Sequence, residues 1–201
     1  MKTIVILLLA LTASLAFAQD IALPAPQTTG GKPLMQALAA RQSAREFADR
    51  ELPPQTLSNL LWAAYGFNRP GKRTAPSARN QQELELYVFL KQGVYLYDAK
   101  TNKLLKKIDG DQRQAAGKQG FAATAAADIV IVGDLAKLGR DNVYADSGFV
   151  SQNIYLFCAS EGLSTVVCGM IDRPALATLL GLKDQKEALY NQCVGYPPES
   201  K

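Results

Sequence analysis

The stretch LELYVFLKQGVYLYD, residues 84–98, restricts the fold more than any other part of the sequence. Two runs rich in β-branched and aromatic residues flank a polar break, and Val94 and Leu96 alternate with Tyr95 and Tyr97. That pattern predicts a strand, a turn at Gln92–Gly93 and a second strand. Helical signals surround it. In LPPQTLSNLLWAAYG, residues 52–66, Pro53 and Pro54 suit a first turn. Leu57, Leu60, Leu61 and Ala64 form one apolar face, and Gly66 is a natural stop. NVYADSGFVSQNIYLFCASEGL, residues 142–163, is the longest helix candidate and stops at Gly162. Hairpins beside helices predict an α+β fold rather than a doubly wound parallel one.

The remaining segments fit that frame. PLMQALAAR (33–41) reads as a helix, and DIVIVGD (128–134) as a buried strand. AKTNKLLKKIDG (99–110) gives a turn and a strand, and DQRQAAGKQGFAATA (111–125) a short helix. STVVCGM (164–170) is a short strand or extended loop. In DRPALATLLGL (172–182), Asp172 is an N-cap candidate and Pro174 falls in the first turn. ALYNQCVGYP (188–197) is a closing strand. FNRPGKRTAPSARN (67–80) is a loop by composition, and QDIALPAPQTTGGK (19–32) a linker.

The first eighteen residues, MKTIVILLLALTASLAFA, carry one lysine, an apolar run and an Ala16-Phe17-Ala18 site. This is the pattern of a secretory signal peptide cut after Ala18, and it predicts a periplasmic or secreted protein with no membrane attachment after cleavage. The domain reading is therefore 1–18 signal peptide, 19–32 linker and 33–201 a single domain. The charge is +4, from 22 Lys+Arg against 18 Asp+Glu. No aromatic residues interleave with basic runs, which argues against a nucleic-acid partner. Cys158, Cys168 and Cys193 match no zinc spacing, and their number leaves at least one thiol unpaired. The chain has no histidine. That removes a Ser-His-Asp or Cys-His nucleophile system and most catalytic metal sites. No Gly-rich phosphate loop is present. A bound organic cofactor is the simplest way for such a chain to be an enzyme.

RQSAREF, residues 41–47, is the candidate place for one. If the segment is helical, Arg41 and Arg45 share a face, with Ser43 interrupting the helix. Two guanidiniums and a hydroxyl suit an anion. They equally suit an ordinary solvated basic face.

RQSAREF also resembles the R-x-S-x-R/K-x-F opening of the FMN-dependent nitroreductase-like family. The helix LPPQTLSNLLWAAYG follows at the family's spacing. RTAPSARN resembles its A-P-S-x-x-N segment, and DSGFVSQNIYLFCASEGL its long central helix. VVCGMIDRPALATLLGL and CVGYP resemble its glycine hinge with the following helix and its closing strand. The resemblance runs from about Pro33 to Pro198. The R-T-A-P-S segment, the hairpin and the G-Y-P ending are most similar to the branch with the azoline (thiazoline/oxazoline) dehydrogenases.

The resemblance implies a mixed, mostly antiparallel sheet flanked by helices, in a homodimer with FMN at the interface. Arg41 and Ser43 would hold the phosphate and ribityl chain, Arg45 the N1–C2 oxygen edge of the ring, and Gln42 would also belong to the cofactor-binding set. Pro76, Ser77 and Asn80 would reach flavin from the partner subunit, and Gln119 would meet the ribityl or ring edge. Val167, Cys168 and Gly169 would pass flavin N5 with their backbone. The Cys168 side chain is either a redox thiol or a small buried residue. Gln152 and Asn153 read as interface or packing polars. No side chain is expected to be catalytic in its own right, since the flavin carries the chemistry.

The implied activity is two-electron, hydride transfer to a small organic substrate. Two alternatives stand beside it: an azoline-type dehydrogenase passing electrons to oxygen, and a flavin- or ligand-binding protein without turnover. Longer family members carry a C-terminal basic pair on the phosphate, whereas here only Lys201 is present. An exported member would also meet little NAD(P)H.

Overall fold

The computed structural model describes residues 19–183 and 185–199. The signal-peptide reading of residues 1–18 and the reading of Lys201 lie outside the described residues. Seven strands form one sheet: β1 (Ile21–Ala22), β4 (Leu84–Leu90), β5 (Gly93–Asp98), β6 (Lys103–Asp109), β7 (Ala127–Asp134), β8 (Ser164–Cys168) and β9 (Lys186–Gly195), in the order β1-β6-β5-β4-β7-β9-β8. All its described pairings are antiparallel. The α+β, mostly antiparallel expectation holds.

Two-residue periodicity sorts the side chains. Leu86, Val88, Ile129 and Ile131 face one side, where α2 (Pro54–Tyr65) and α4 (Arg140–Glu161) bring Leu57, Leu60, Leu61, Val150 and Ile154. Tyr87, Phe89, Val130 and Val132 face the other, packed with Leu176 of α5 (Arg173–Leu180) and Ala116 of α3 (Arg113–Ala116). A central strand covered on both faces has no polar side to show, which explains the unbroken apolar run in DIVIVGD. Helix ends follow the sequence signals. Asp172 accepts from the Ala175 N–H at 3.1 Å, and Gly162 closes α4 in the left-handed conformation.

Several expectations are corrected. Leu90 pairs with Gly93, so the turn is Lys91–Gln92, one residue earlier than predicted. Gly93 belongs to β5, has φ 148°, and lies where a Cβ would run into the Ile108 carbonyl oxygen. The segment 67–80 contains a small hairpin, β2 (Phe67–Arg69) with β3 (Lys72–Arg73). The helix predicted over 111–125 is split into α3 and a 3-10 turn at Gly120–Ala123, because the chain turns extended at Gly117. The segment read as a linker is tied down: Ile21 pairs with Leu104, Leu23 is buried, and the Pro24 carbonyl accepts from Ser58 Oγ and Asn102 Nδ2.

Helix α1 (Leu34–Ala40) ends before RQSAREF, with Arg41 at φ −61°, ψ 122°. Arg41 and Arg45 therefore do not share a helical face. In extended chain, residues two apart point the same way, which groups Arg41, Ser43 and Arg45 by a different periodicity.

Candidate functional site

RQSAREF runs along the free edge of the sheet beside β8. The Ala44 N–H donates to the Thr165 carbonyl at 2.9 Å, and the Ala48 N–H to the Tyr196 carbonyl at 2.9 Å. Between these anchors, Ser43 Oγ lies 2.8 Å from the hydroxyl of Tyr155 on α4. The Arg41 guanidinium sits 5.3 Å from the centre of the same ring, within cation–π range. Arg45 is exposed; the Cys168 thiol is held below its ordinary value chiefly by the neighbouring Cys193, against burial, with the positive charge of Arg45 a smaller influence in the same direction as Cys193. Phe47 packs against the cluster of Ala122, Ala125, Val166, Cys168 and Cys193 and touches the backbone at Gly195. Gln42 borders, with Ala44, Tyr155 and Thr165, a cavity of about 200 Å³.

Strand β8 is the last of the sheet, so its outer backbone groups have no strand to bond. Two of them are taken within the chain: the Thr165 carbonyl by Ala44, and the Val167 N–H by the Tyr155 hydroxyl at 3.1 Å. Alternation turns the Cys168 backbone inward to β9, where it pairs with Asn191, and makes Gly169 the next outward position. Gly169 is exposed, and a Cβ there would meet only the Tyr190 ring, at 3.8 Å in ordinary contact. Nothing inside the chain requires glycine at that place. The Lys118 N–H donates to the Met170 carbonyl at 3.0 Å, which brings the half-buried Gln119 beside this end of β8.

All three cysteines are free and buried. Cys168 points into the core, in the cluster with Ala122, Ala125, Val166 and Cys193. Cys193 lies next to it, and that contact, together with burial, pushes the Cys193 thiol far up.

Pro76, Ser77 and Asn80 form a second, separate group. Among the described residues, no hydrogen bond joins them to Arg41, Ser43 or Arg45 in the same chain. With Arg69, Lys72 and Arg79 they line a cleft of about 530 Å³. The segment is held from below by Asp146 of α4, whose Oδ2 accepts the Ala78 N–H at 2.8 Å. Ser77 Oγ accepts the Gln82 N–H at 3.0 Å, and Gln82 Nε2 donates to the Gly71 carbonyl at 2.8 Å. These bonds fix Arg79, Asn80 and Gln82 at φ 54°, 56° and 50°. Left-handed backbone costs a non-glycine residue roughly 1–2 kcal/mol, so the bonds maintain strain in this segment. Behind it, Glu83 is buried, neither of its carboxyl oxygens has a hydrogen-bond partner among the described residues, and burial, with Asp146 close by, pushes it up to about 7.

The structure thus brings Arg41, Ser43, Arg45, Val167, Gly169 and Gln119 to one end of the sheet. It leaves Pro76, Ser77 and Asn80 apart, sets Gln42 in the cavity that Tyr155 also lines, and turns the Cys168 side chain into the core. Sequence reasoning missed Tyr155. In the sequence it is one more buried residue of α4 beside Ile154 and Cys158, and no local signal marks its hydroxyl. A further cleft of about 590 Å³ lies between residues 27–32 and helices α1, α2 and α4, with Asn59, Trp62, Asn153 and Phe157 on its walls. Arg41, Ser43 and Arg45 are not among its walls. Among the described residues no group of three or more His, Cys, Asp or Glu side chains is placed to hold a metal.

Comparison with known proteins adds the following. The model of the family described as "Nitroreductase family" matches residues 38–196. A candidate nitroreductase of Methanocaldococcus jannaschii is 32% identical over 171 residues, covering 75% of this chain and 85% of that protein. The crystal structure of a candidate nitroreductase from Ralstonia eutropha JMP134 superposes with a TM-score of 0.85 at 37% identity, over 90% of this chain and 91% of that one. An FMN-dependent nitroreductase from Clostridium difficile R20291 shares the fold with a TM-score of 0.61 at 20% identity, over 83% and 89% of the two chains.

Proposed function

Because the chain belongs to the nitroreductase family of oxidoreductases, we propose that it is an FMN-dependent enzyme that moves two electrons, as hydride, between small organic molecules. The observation that carries this reading is the seating of Arg41 and Ser43 on Tyr155 along the open edge of β8, the same edge on which Gly169 is exposed. A flavin mononucleotide needs an anion site at one end and a close, side-chain-free backbone at its ring. These residues fit both needs. Bound FMN supplies reversible acceptance of a hydride at N5.

The protein's part is position and charge. Arg41 and Ser43 hold the phosphate and upper ribityl chain. Arg45 offers a fixed positive charge to the N1–C2 oxygen edge, where reduction leaves negative charge. The Val167 N–H is engaged by Tyr155, so the donor for N5 is assigned to Gly169, which also leaves room for the ring. Gln119 is assigned to the ribityl or ring edge.

Pro76, Ser77 and Asn80 are assigned to the flavin of a partner subunit in a homodimer. Leu34, Met35 and Phe149 expose 62%, 74% and 46% of their surface on α1 and α4, and a second copy would cover them. Gln152, exposed on α4, fits that interface. Export after Ala18 is part of the proposal and rests on the N-terminal segment. That segment also favours a second reading, an azoline-type dehydrogenase that passes electrons to oxygen and needs no NAD(P)H.

Spectroscopy on the purified protein tests this. A yellow protein that releases FMN on denaturation and bleaches with dithionite is expected. Bleaching by NADH supports a nicotinamide donor, and recovery of colour in air without it supports the oxygen-linked reading. Protein that is colourless and takes up no added FMN overturns the proposal.

A further inference from the structure

Tyr155 joins RQSAREF to the edge of β8 through two hydrogen bonds, and their polarity can be worked out. The Val167 amide can only donate, so in the 3.1 Å contact the phenol oxygen is the acceptor. Tyr155 is 8% exposed, so its own proton needs an acceptor. Ser43 Oγ, at 2.8 Å, is the acceptor within reach among the described residues. Tyr155 therefore donates to Ser43. The proton of Ser43 is then directed away from Tyr155, on an exposed residue, next to an Arg41 guanidinium that the same ring supports from 5.3 Å. With the opposite polarity, Ser43 would spend its proton inward and the phenol proton would be buried without a partner.

The geometry points to Tyr155 as a positioning residue that presents the Ser43 hydroxyl as a donor, beside Arg41, to a phosphate monoester, and so makes the chain prefer FMN over riboflavin. The inference rests on the flavin reading proposed above. It gives the buried hydroxyl on α4 a role in ligand choice rather than in packing alone. The Val167 N–H plays a part as well: by occupying the acceptor side of the phenol it leaves donation to Ser43 as the use of the phenol proton.

The test is the dissociation constants of FMN and riboflavin for flavin-free wild-type protein, Tyr155→Phe, Ser43→Ala and the double variant, with thermal melting of each variant as the fold control. Wild-type protein is expected to bind FMN more tightly than riboflavin. Tyr155→Phe should weaken FMN about tenfold, the scale of one hydrogen bond to a charged group, and leave riboflavin nearly unchanged. Ser43→Ala should do the same, and the double variant should be no worse than Ser43→Ala.

Equal weakening of both flavins by Tyr155→Phe, or additive effects in the double variant, would mean a packing role and overturn the inference. Ser43→Ala lies outside any helix or strand and gives an arm that does not depend on how Tyr155→Phe folds. An unchanged FMN-to-riboflavin ratio in Ser43→Ala overturns the inference on its own. Wild-type protein that binds both flavins equally overturns it while leaving the flavin reading intact, and wild-type protein that binds neither removes both.

Discussion

Asn191 Nδ2 donates to Asp128 Oδ1 at 2.7 Å, joining β9 to β7 through two fully buried side chains. The other Asp128 oxygen has no hydrogen-bond partner among the described residues. Burial pushes this carboxyl up to about 8, against the nearby Cys193 thiol, the Asn191 hydrogen bond and the charge of Arg113, which act the other way. A folded value above the ordinary 3.8 means that the folded protein holds the proton more tightly than the unfolded chain. The associated stability is full below pH 3.8 and is lost as pH rises through about 8. Glu83, pushed up from 4.5 to about 7, adds a loss in the same direction. Urea unfolding across pH 4 to 9 should therefore show declining stability, and Asp128→Asn should flatten the decline. A variant with the wild-type slope would show that Asp128 is ionised in the folded state.

A second prediction concerns the fit of α4 on the sheet. Gly133 of β7 lies where a Cβ would run into Val143 Cγ1 of α4, with Leu189 Cδ1 of β9 2.9 Å away. Val143 and Leu189 are both fully buried, so neither has free space to move into. Gly133→Ala should cost roughly 1–3 kcal/mol, read as a lower urea midpoint with unchanged slope. A midpoint equal to wild type would show that the two side chains repack freely.

These two sites differ in how visible they were beforehand. DIVIVGD showed a buried strand, and a polar residue at its start carried no warning that Asp128 would be buried with Asn191. Features set by residues close in sequence were legible: the 84–98 hairpin, the Asp172 cap and the Gly162 stop. β1 and the β2–β3 hairpin were not, because two- and three-residue strands form through backbone pairing to a neighbour and need no side-chain alternation of their own. RQSAREF was found as an anion-binding candidate through the wrong periodicity. Helical spacing grouped Arg41 with Arg45, whereas extended chain groups both with Ser43. Tyr155 stayed hidden because its partner Ser43 is 112 residues away and the contact exists only after α4 packs beside β8.

The third prediction concerns Arg45. It is exposed, next to Ala44, which is hydrogen-bonded to the β8 edge at Thr165. In the proposed site its charge favours the reduced, anionic flavin edge. Arg45→Ala should weaken FMN binding and lower the flavin potential, with a charged hydrogen bond worth roughly 1.5–3 kcal/mol. Potentiometric titration and flavin content check this. An unchanged potential and full flavin content would remove Arg45 from the site.

The fourth concerns processing. Protein recovered from cells is predicted to begin at Gln19. Such a chain keeps Asp20, whose Oδ1 accepts the Lys106 N–H at 2.8 Å, and keeps the Ile21–Leu104 pair of β1. Cleavage after Ala18 therefore leaves the first contacts of the sheet in place. N-terminal sequencing decides the matter, and product starting at Met1 in the cytoplasm would overturn the export proposal.

The last prediction tests whether the two separated groups of residues form one site across a dimer. Arg41 and Ser43 lie at the β8 edge, while Ser77 and Asn80 line a different cleft of the same chain. The proposed site takes the first pair from one subunit and the second from its partner. Neither half should then hold flavin alone, and FMN should favour the dimer by mass action. Arg41→Ala and Asn80→Ala proteins are each expected to bind FMN poorly, since every site in either homodimer lacks one contact. When the two are mixed and allowed to exchange subunits, a heterodimer has one site missing both contacts and one site missing neither. Flavin binding should then return to a fraction of sites, with wild-type affinity at those sites. Exchange can be followed separately by tagging one variant. Heterodimers that form and yet recover no binding would show that Arg41 and Asn80 serve the same subunit's site, or that one of them serves none, and the shared-site arrangement would have to be given up.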